Sequence, residues 1–190
     1  RVILIKIADR LHNMRTLDAM KPEKKLKIAS ETIYIYAPIA HRMGMYNIKT
    51  ELEDLSLKYT EPAIYKDIET KLEESKEERD SYIKTFSKIV SKKLEEEGLE
   101  FSIKGRPKSV HSIHKKILKQ GISFKEIYDK FAIRIIYRSD KKNEKFLAWK
   151  IYSLITDEFR PNPQRLRDWI TSPRSTGYES LHATVMGPNG

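Results

Sequence analysis

The side chains best equipped for chemistry fall into clusters, and the densest is residues 104–116, KGRPKSVHSIHKK. Gly105 and Pro107 predict a rigid turn between a strand and a helix, with Ser109 as the helix N-cap. Arg106 and Lys108 would flank that helix start, where unsatisfied backbone N–H groups favour anions. Ser112 and Lys116 follow at i,i+4 spacing, on the face of Lys108. Hydroxyl, ammonium and guanidinium groups converging in this way suit a polyphosphate. A solvated basic helix start would show the same spacing. The Walker pattern G-x-x-x-x-G-K-[ST] is absent.

Two further clusters accompany it. Asp129 immediately precedes an apolar run, with Arg134 five residues on. A carboxylate at a strand end beside a phosphate cluster is a natural Mg²⁺ ligand, although a lone Asp there is also an ordinary turn residue and needs a second carboxylate. In residues 160–178, RPNPQRLRDWITSPRSTGY, Arg165, Arg167 and Arg174 are phosphate candidates. Gly177-Tyr178 sets a ring beside a permissive residue, and such a ring can stack on a nucleobase or sit half-exposed at a strand start. His182 reads equally as a phosphate donor or a packed strand residue. Near the N-terminus, Asp9, Asn13 and Thr16 fall at i, i+4 and i+7 as a polar stripe on an apolar helix. Buried, that stripe would cost stability unless satisfied. An Asp9/His12 metal pair is conceivable, and capping or surface roles fit as well.

These groups need elements to hold them. Val2, Ile5, Ala8, Leu11 and Met14 recur with a helical period. Pro22 suits a first helical turn, and a second helix runs through Leu26, Ile28, Ala29, Ile33 and Ile35 to a disruption at Pro38. A third covers 48–59. Residues 63–97 are laced with charge and carry a sparse stripe, including Ile68, Phe86, Val90 and Leu94. They read as a solvated connecting helix or helix pair, ending at Gly98, a good C′ residue. Beyond it, 99–104 alternates as a strand, 109–120 reads as a helix, 130–138 as a β-branched strand, 149–159 as a helix and 180–186 as a strand. This order means α/β or α+β, with a boundary near residue 98. Three strands are few for a stable sheet. With an uncapped apolar run at residue 1 and a turn at 187–190, the chain reads as a fragment of a longer protein.

Composition bounds the partners. The 190 residues contain no Cys, which excludes a disulfide framework, a thiolate metal site and a Cys nucleophile. The first residues are too short and too charged for a signal peptide or membrane span, so a soluble, cytoplasmic protein is expected. The net charge of +10 is confined: residues 101–190 hold 18 basic and 8 acidic side chains, while the nets of 1–70 and 71–100 are +2 and −2. A confined excess suggests a phosphate site, for nucleic acid or nucleotides alike.

The segments KIADRLHNMRTL, APIAHRMGMYNIKTELEDL, KGRPKSVHSIHKK, YDKFAIRII and RLRDWITSPRSTGYESLHATVMGP, in this order, resemble the RelA/SpoT family of bifunctional enzymes that make and degrade (p)ppGpp. The resemblance implies an α+β chain. Residues 1–66 would be the all-α end of an HD-type hydrolase domain, 67–98 a helical connector, and 99–190 a C-terminally truncated, nucleotidyltransferase-like mixed-sheet synthetase domain. The implied reaction moves the β,γ-pyrophosphate of ATP to the 3′-OH of GDP or GTP. By the match, Arg106 would stack on adenine and Lys108, Ser112 and Lys116 would hold the ATP phosphates, with Arg134 nearby. Asp129 would bind Mg²⁺, and Asp129, Lys108 and Arg167 form the implied catalytic set. Tyr178 would stack on guanine, with Gly177, Arg165, Arg174 and His182 around that nucleotide.

In the hydrolase part, Asp9 matches a Mn²⁺ ligand, and Asn13 and Thr16 match residues contacting (p)ppGpp. The other metal ligands, and a Glu in a later strand of the synthetase, have no counterpart here. The fragment is therefore expected to be weak or inactive. Arg167, in Arg165-Leu166-Arg167-Asp168, stands where the family has Lys, and this basic form resembles bifunctional members. Thr176, Glu179 and His111 stand where Asn, Gln and Tyr are usual. The resemblance also implies a ribosome or tRNA as partner of a full-length parent, and no membrane. A competing reading is a nucleotide- or RNA-binding regulatory module without catalysis.

Overall fold

Helices that bury one stripe each, and two short antiparallel sheets, make up the computed structural model, which describes residues 1–127, 130–174 and 177–187. The fold is α+β. It divides into two compact units, each built from two separated stretches: Arg1–Lys76 with Pro107–Ala132, and Glu77–Arg106 with Ile133–Gly190.

In the first unit, α1 (Val2–Arg15), α2 (Pro22–Glu31), α3 (Ala37–Arg42) and α4 (Tyr46–Thr60) close over Ile7, Met14, Leu17, Ala29, Ala37, Ala40 and Leu52. Pro22 opens α2, where its missing N–H costs nothing. Pro38 does not end the helical path. A π-turn, Thr32–Tyr36, comes first, and the Ala37 N–H bonds the Thr32 carbonyl. In a continuous α-helix the Pro38 ring would meet the Tyr34 carbonyl; the widened turn relieves that clash and α3 continues. Arg15 and Glu51 form a two-pronged ion pair between α1 and α4, with Nη2 to Oε2 at 2.8 Å. A second apolar cluster joins α4, α5 (Pro62–Glu74) and α7 (Val110–Gln120) through Leu57, Ile68, Val110, Ile113 and Ile127.

The second unit is organised by α6 (Lys76–Glu96). Its stripe of Phe86, Val90 and Leu94 packs with Ile151 and Phe159, and the Phe86 and Phe159 rings stack at 4.5 Å. The expectation of a solvated helix is thus corrected for this face, because three large apolar side chains on one line suffice to bury it. The helix stops at Gly98, φ +66°, with the Gly98 N–H on the Glu95 carbonyl and the Leu99 N–H on the Leu94 carbonyl. This pair of bonds is a Schellman stop, and Leu94 and Leu99 meet in the core beneath it.

Strands β1 (Phe101–Pro107) and β2 (Phe131–Tyr137) pair, and bonds from Arg138 to Glu100 and from Lys108 to Lys130 fix them antiparallel. Gly105 and Pro107 lie inside β1, not in the expected turn. A Cβ at Gly105 would stand 2.7 Å from the Ile83 side chain, so the glycine lets α6 approach. Helix α8 (Glu144–Glu158) starts five residues before the expected point. The expected strand 180–186 reduces to β4 (Leu181–His182), paired with β3 (Arg167–Asp168), plus a bridge from Val185 to Pro161. The turn Pro163–Arg165 interrupts the partner strand, and prolines donate no ladder bond.

Candidate functional site

Helix α7 begins as the sequence predicts, with Ser109 as its cap: the Ser109 hydroxyl oxygen accepts the Ser112 N–H at 3.2 Å. The next donor, the His111 N–H, is taken by Asp54 of α4, with Oδ1 at 2.8 Å. The helix start is therefore not an open anion site. A carboxylate of the chain already takes its His111 N–H. Burial pushes the Asp54 carboxyl above its ordinary range, opposed by the His111 N–H and the Ser109 hydroxyl. Beside it, Lys49 Nζ lies 2.6 Å and His111 Nδ1 3.5 Å from Glu53 Oε2. Burial would raise Glu53, but its bonds to His111 and Lys49 outweigh burial and hold it low. Ser112 and Lys116 are half-buried one turn apart, and Lys108 precedes the cap.

The second unit assembles a different set. Tyr178 Oη and His182 Nε2 are 2.8 Å apart, and the rings meet edge-on at 5.9 Å. His182 is held below its ordinary pKa, first by burial of the ring and then by the charges of Arg174 and Arg134. Three of these side chains were expected around GDP or GTP and Arg134 near ATP; all four share one neighbourhood. The Arg174 guanidinium lies over the Trp169 ring, 4.3 Å from its centre, a cation–π contact that sequence reasoning missed. The Gly177 N–H donates to the Arg174 carbonyl and the Arg174 N–H to the Tyr178 carbonyl. Arg167 pairs with His182 across β3 and β4, but its guanidinium donates to the Gln164 and Leu166 carbonyls at 3.1 and 2.8 Å. Its charge is thereby tied to its own loop. Asp168 accepts the Ile170 and Thr171 N–H groups, and its bonds to Thr171 hold its pKa low. Arg106 and Arg165 are exposed in the same unit, as is Arg134 on the outer face of β2.

In the first unit, the Asn13 amide donates to Asp9 at 3.2 Å, and the Thr16 hydroxyl bonds the His12 and Asn13 carbonyls. Asp9 and Thr16 are exposed and Asn13 half-exposed, so the stripe is solvated, not buried. Water pays its polar groups. Asp129 and Thr176 lie outside the described residues. Among the described residues no group of three or more His, Asp or Glu side chains gathers as a metal site, and no helix is long and apolar enough to cross a membrane.

The second unit is thus a mixed helix-and-sheet unit carrying an aromatic ring among cationic side chains. Comparison with known sequences gives the family. A family model described as a region found in RelA/SpoT proteins matches residues 105–190, and an HD domain model matches 1–46. The chain is 46% identical over 188 residues to a probable guanosine-3′,5′-bis(diphosphate) 3′-pyrophosphohydrolase of Synechocystis, covering 98% of this chain and 24% of that protein. It is 45% identical to a GTP pyrophosphokinase of Myxococcus xanthus, covering 99% and 24%. It is 37% identical to the bifunctional (p)ppGpp synthase/hydrolase SpoT of Escherichia coli K12, covering 100% and 26%. The chain belongs to the RelA/SpoT family, and spans about a quarter of the length of these relatives.

Proposed function

We propose that the chain carries the nucleotide-binding part of a (p)ppGpp synthetase, which transfers the β,γ-pyrophosphate of ATP to the 3′-OH of GDP or GTP, next to part of a (p)ppGpp 3′-pyrophosphohydrolase. The observation that carries this reading is the grouping of Tyr178 and His182 with Arg174 and Arg134. The Tyr178 ring offers a stacking face for guanine, and the two guanidiniums offer bidentate donors to phosphate. Ser112, Lys116 and Lys108, with Arg106, supply the triphosphate side. The chain's contribution is orientation and charge stabilisation of a transferring phosphoryl group.

A divalent metal would neutralise phosphate charge when bound. Asp129 is the proposed Mg²⁺ ligand and Asp9 the proposed Mn²⁺ ligand. Asp9 brings one carboxylate that already accepts from Asn13, so it makes no metal site alone. A cytoplasmic setting, and a ribosome or tRNA as partner of the whole protein, belong to the same proposal.

Calorimetric titration with a non-hydrolysable ATP analogue, GDP and a short RNA tests it. Saturable binding of both nucleotides is expected, and Tyr178→Ala should weaken GDP about tenfold, the value of one lost stacking contact. Tyr178→Phe should keep most of the affinity. RNA binding with a steep salt dependence, and no competition by nucleotide, would overturn the reading in favour of an RNA-binding module. The confined charge of residues 101–190 is what keeps that second reading in the test.

A further inference from the structure

A carboxylate outside the stretches that the two family models match holds the start of α7. Asp54 lies between the matched stretches, 1–46 and 105–190. It reaches 57 residues along the chain to accept the His111 N–H at 2.8 Å and faces the Ser109 hydroxyl. Glu53, its neighbour, lies 3.5 Å from the His111 ring while paired to Lys49. Beside this polar clasp between α4 and α7, Leu57, Ile68, Val110 and Ile113 pack both helices with α5.

We propose that Asp54 is a positioning residue for ATP: it fixes the first turn of α7 so that Ser112 and Lys116 present their donors to the triphosphate. The proposal rests on the synthetase reading above. Three observations give it direction. Burial disfavours the Asp54 charge, so the carboxylate persists there only against an electrostatic cost. A helix N-terminus is where such a cost is offset by backbone donors. The bond also lands on the second residue of α7, immediately before Ser112, whose own N–H is held by Ser109. Two consecutive donors are thus fixed from two sides, which sets both the axis and the rotation of the helix. Asp54 also fills the place where a phosphate would otherwise sit against backbone N–H groups, so the bound phosphates are displaced toward the Ser112 and Lys116 side chains.

The test uses this 190-residue chain with Asp54→Asn and Asp54→Leu. Asn keeps an oxygen acceptor without charge, and Leu keeps the shape without an acceptor. Asp54→Leu should weaken the ATP analogue about tenfold, the scale of a lost charge-assisted hydrogen bond, while GDP affinity changes by less than about twofold. Asp54→Asn should retain most of the ATP affinity. Equal ATP affinity in wild type and Asp54→Leu, or an equal loss for GDP, overturns the proposal. Amide hydrogen exchange at His111 keeps it falsifiable if a variant folds poorly: Asp54→Asn should protect this amide as wild type does, and exchange as fast as a free helix end in either folded wild type or Asp54→Asn sinks it. A wild-type chain that binds neither nucleotide, with His111 protected, brings down the synthetase reading while leaving the anchor in place.

Discussion

At the scale of single residues, His182 shows how a fold can set a protonation state without a metal or an acid beside it. Burial and two nearby guanidiniums all disfavour the imidazolium, while the Tyr178 hydroxyl lies 2.8 Å from Nε2. The sign of the linkage follows. A folded pKa below the unfolded value of about 6.5 means that the unfolded chain binds the proton first. Stability from this group is fully present above that pH and is lost as pH falls toward the folded pKa. Denaturant midpoints followed from pH 8 down to 5 should therefore fall less steeply for His182→Gln than for the wild type. An identical slope for the two would show that the ring does not feel Arg134 and Arg174. The same neighbourhood explains why spacing left His182 open between two roles: Arg134, Arg174 and Tyr178 come to it from separate stretches of the chain, and no local pattern in the sequence encodes that meeting.

At the scale of elements, what the sequence disclosed depended on how local its cause was. The cap Ser109, the opening Pro22 and the stop at Gly98 act within one helical turn, and each stands where the residue types put it. The run FAIRIIY was legible as a strand because β-branched and aromatic residues dominate it. Pro38 misled, since a breaker is overridden when a π-turn precedes it. Gly105 misled because its reason is Ile83, a residue of another element. Asp54 was invisible for the same cause, lying in an acidic run of α4 far from the amide it holds. Gly98 provides the test of a local signal. Its left-handed φ of +66° strains any side chain, so Gly98→Ala should destabilise the chain by about 1 kcal/mol, read as a lower midpoint in urea. No atom lies within 4 Å of a Cβ placed there, so the loss would come from backbone conformation and not from a clash.

At the scale of the whole molecule, the composition change near residue 98 and the compact units divide the chain differently. The texture after Gly98 suggests a domain that starts there, yet the core of the second unit draws on both sides of it. Phe86, Val90 and Leu94 from α6 pack with Ile151 of α8 and with Phe159 just after it, and the half-buried Phe101, Ile103, Ile133 and Ile135 close around them. A piece comprising residues 99–190 would lose the α6 side of that cluster. It would also separate α7 from α4 and α5, exposing Val110 and Ile113, whose partners Leu57 and Ile68 lie in the removed part. Each large apolar side chain left without its partners forfeits about 1.5–3 kcal/mol, and several such losses exceed the usual stability margin of a small domain. The 99–190 piece should therefore show no cooperative thermal transition and should lack the near-ultraviolet signal expected of Trp149 and Trp169 in fixed surroundings. The piece 77–190 restores Phe86, Val90 and Leu94 and should recover a cooperative transition, though with α7 still unpartnered. Cooperative unfolding of 99–190 alone would mean that α6 is an accessory to this core rather than one of its walls.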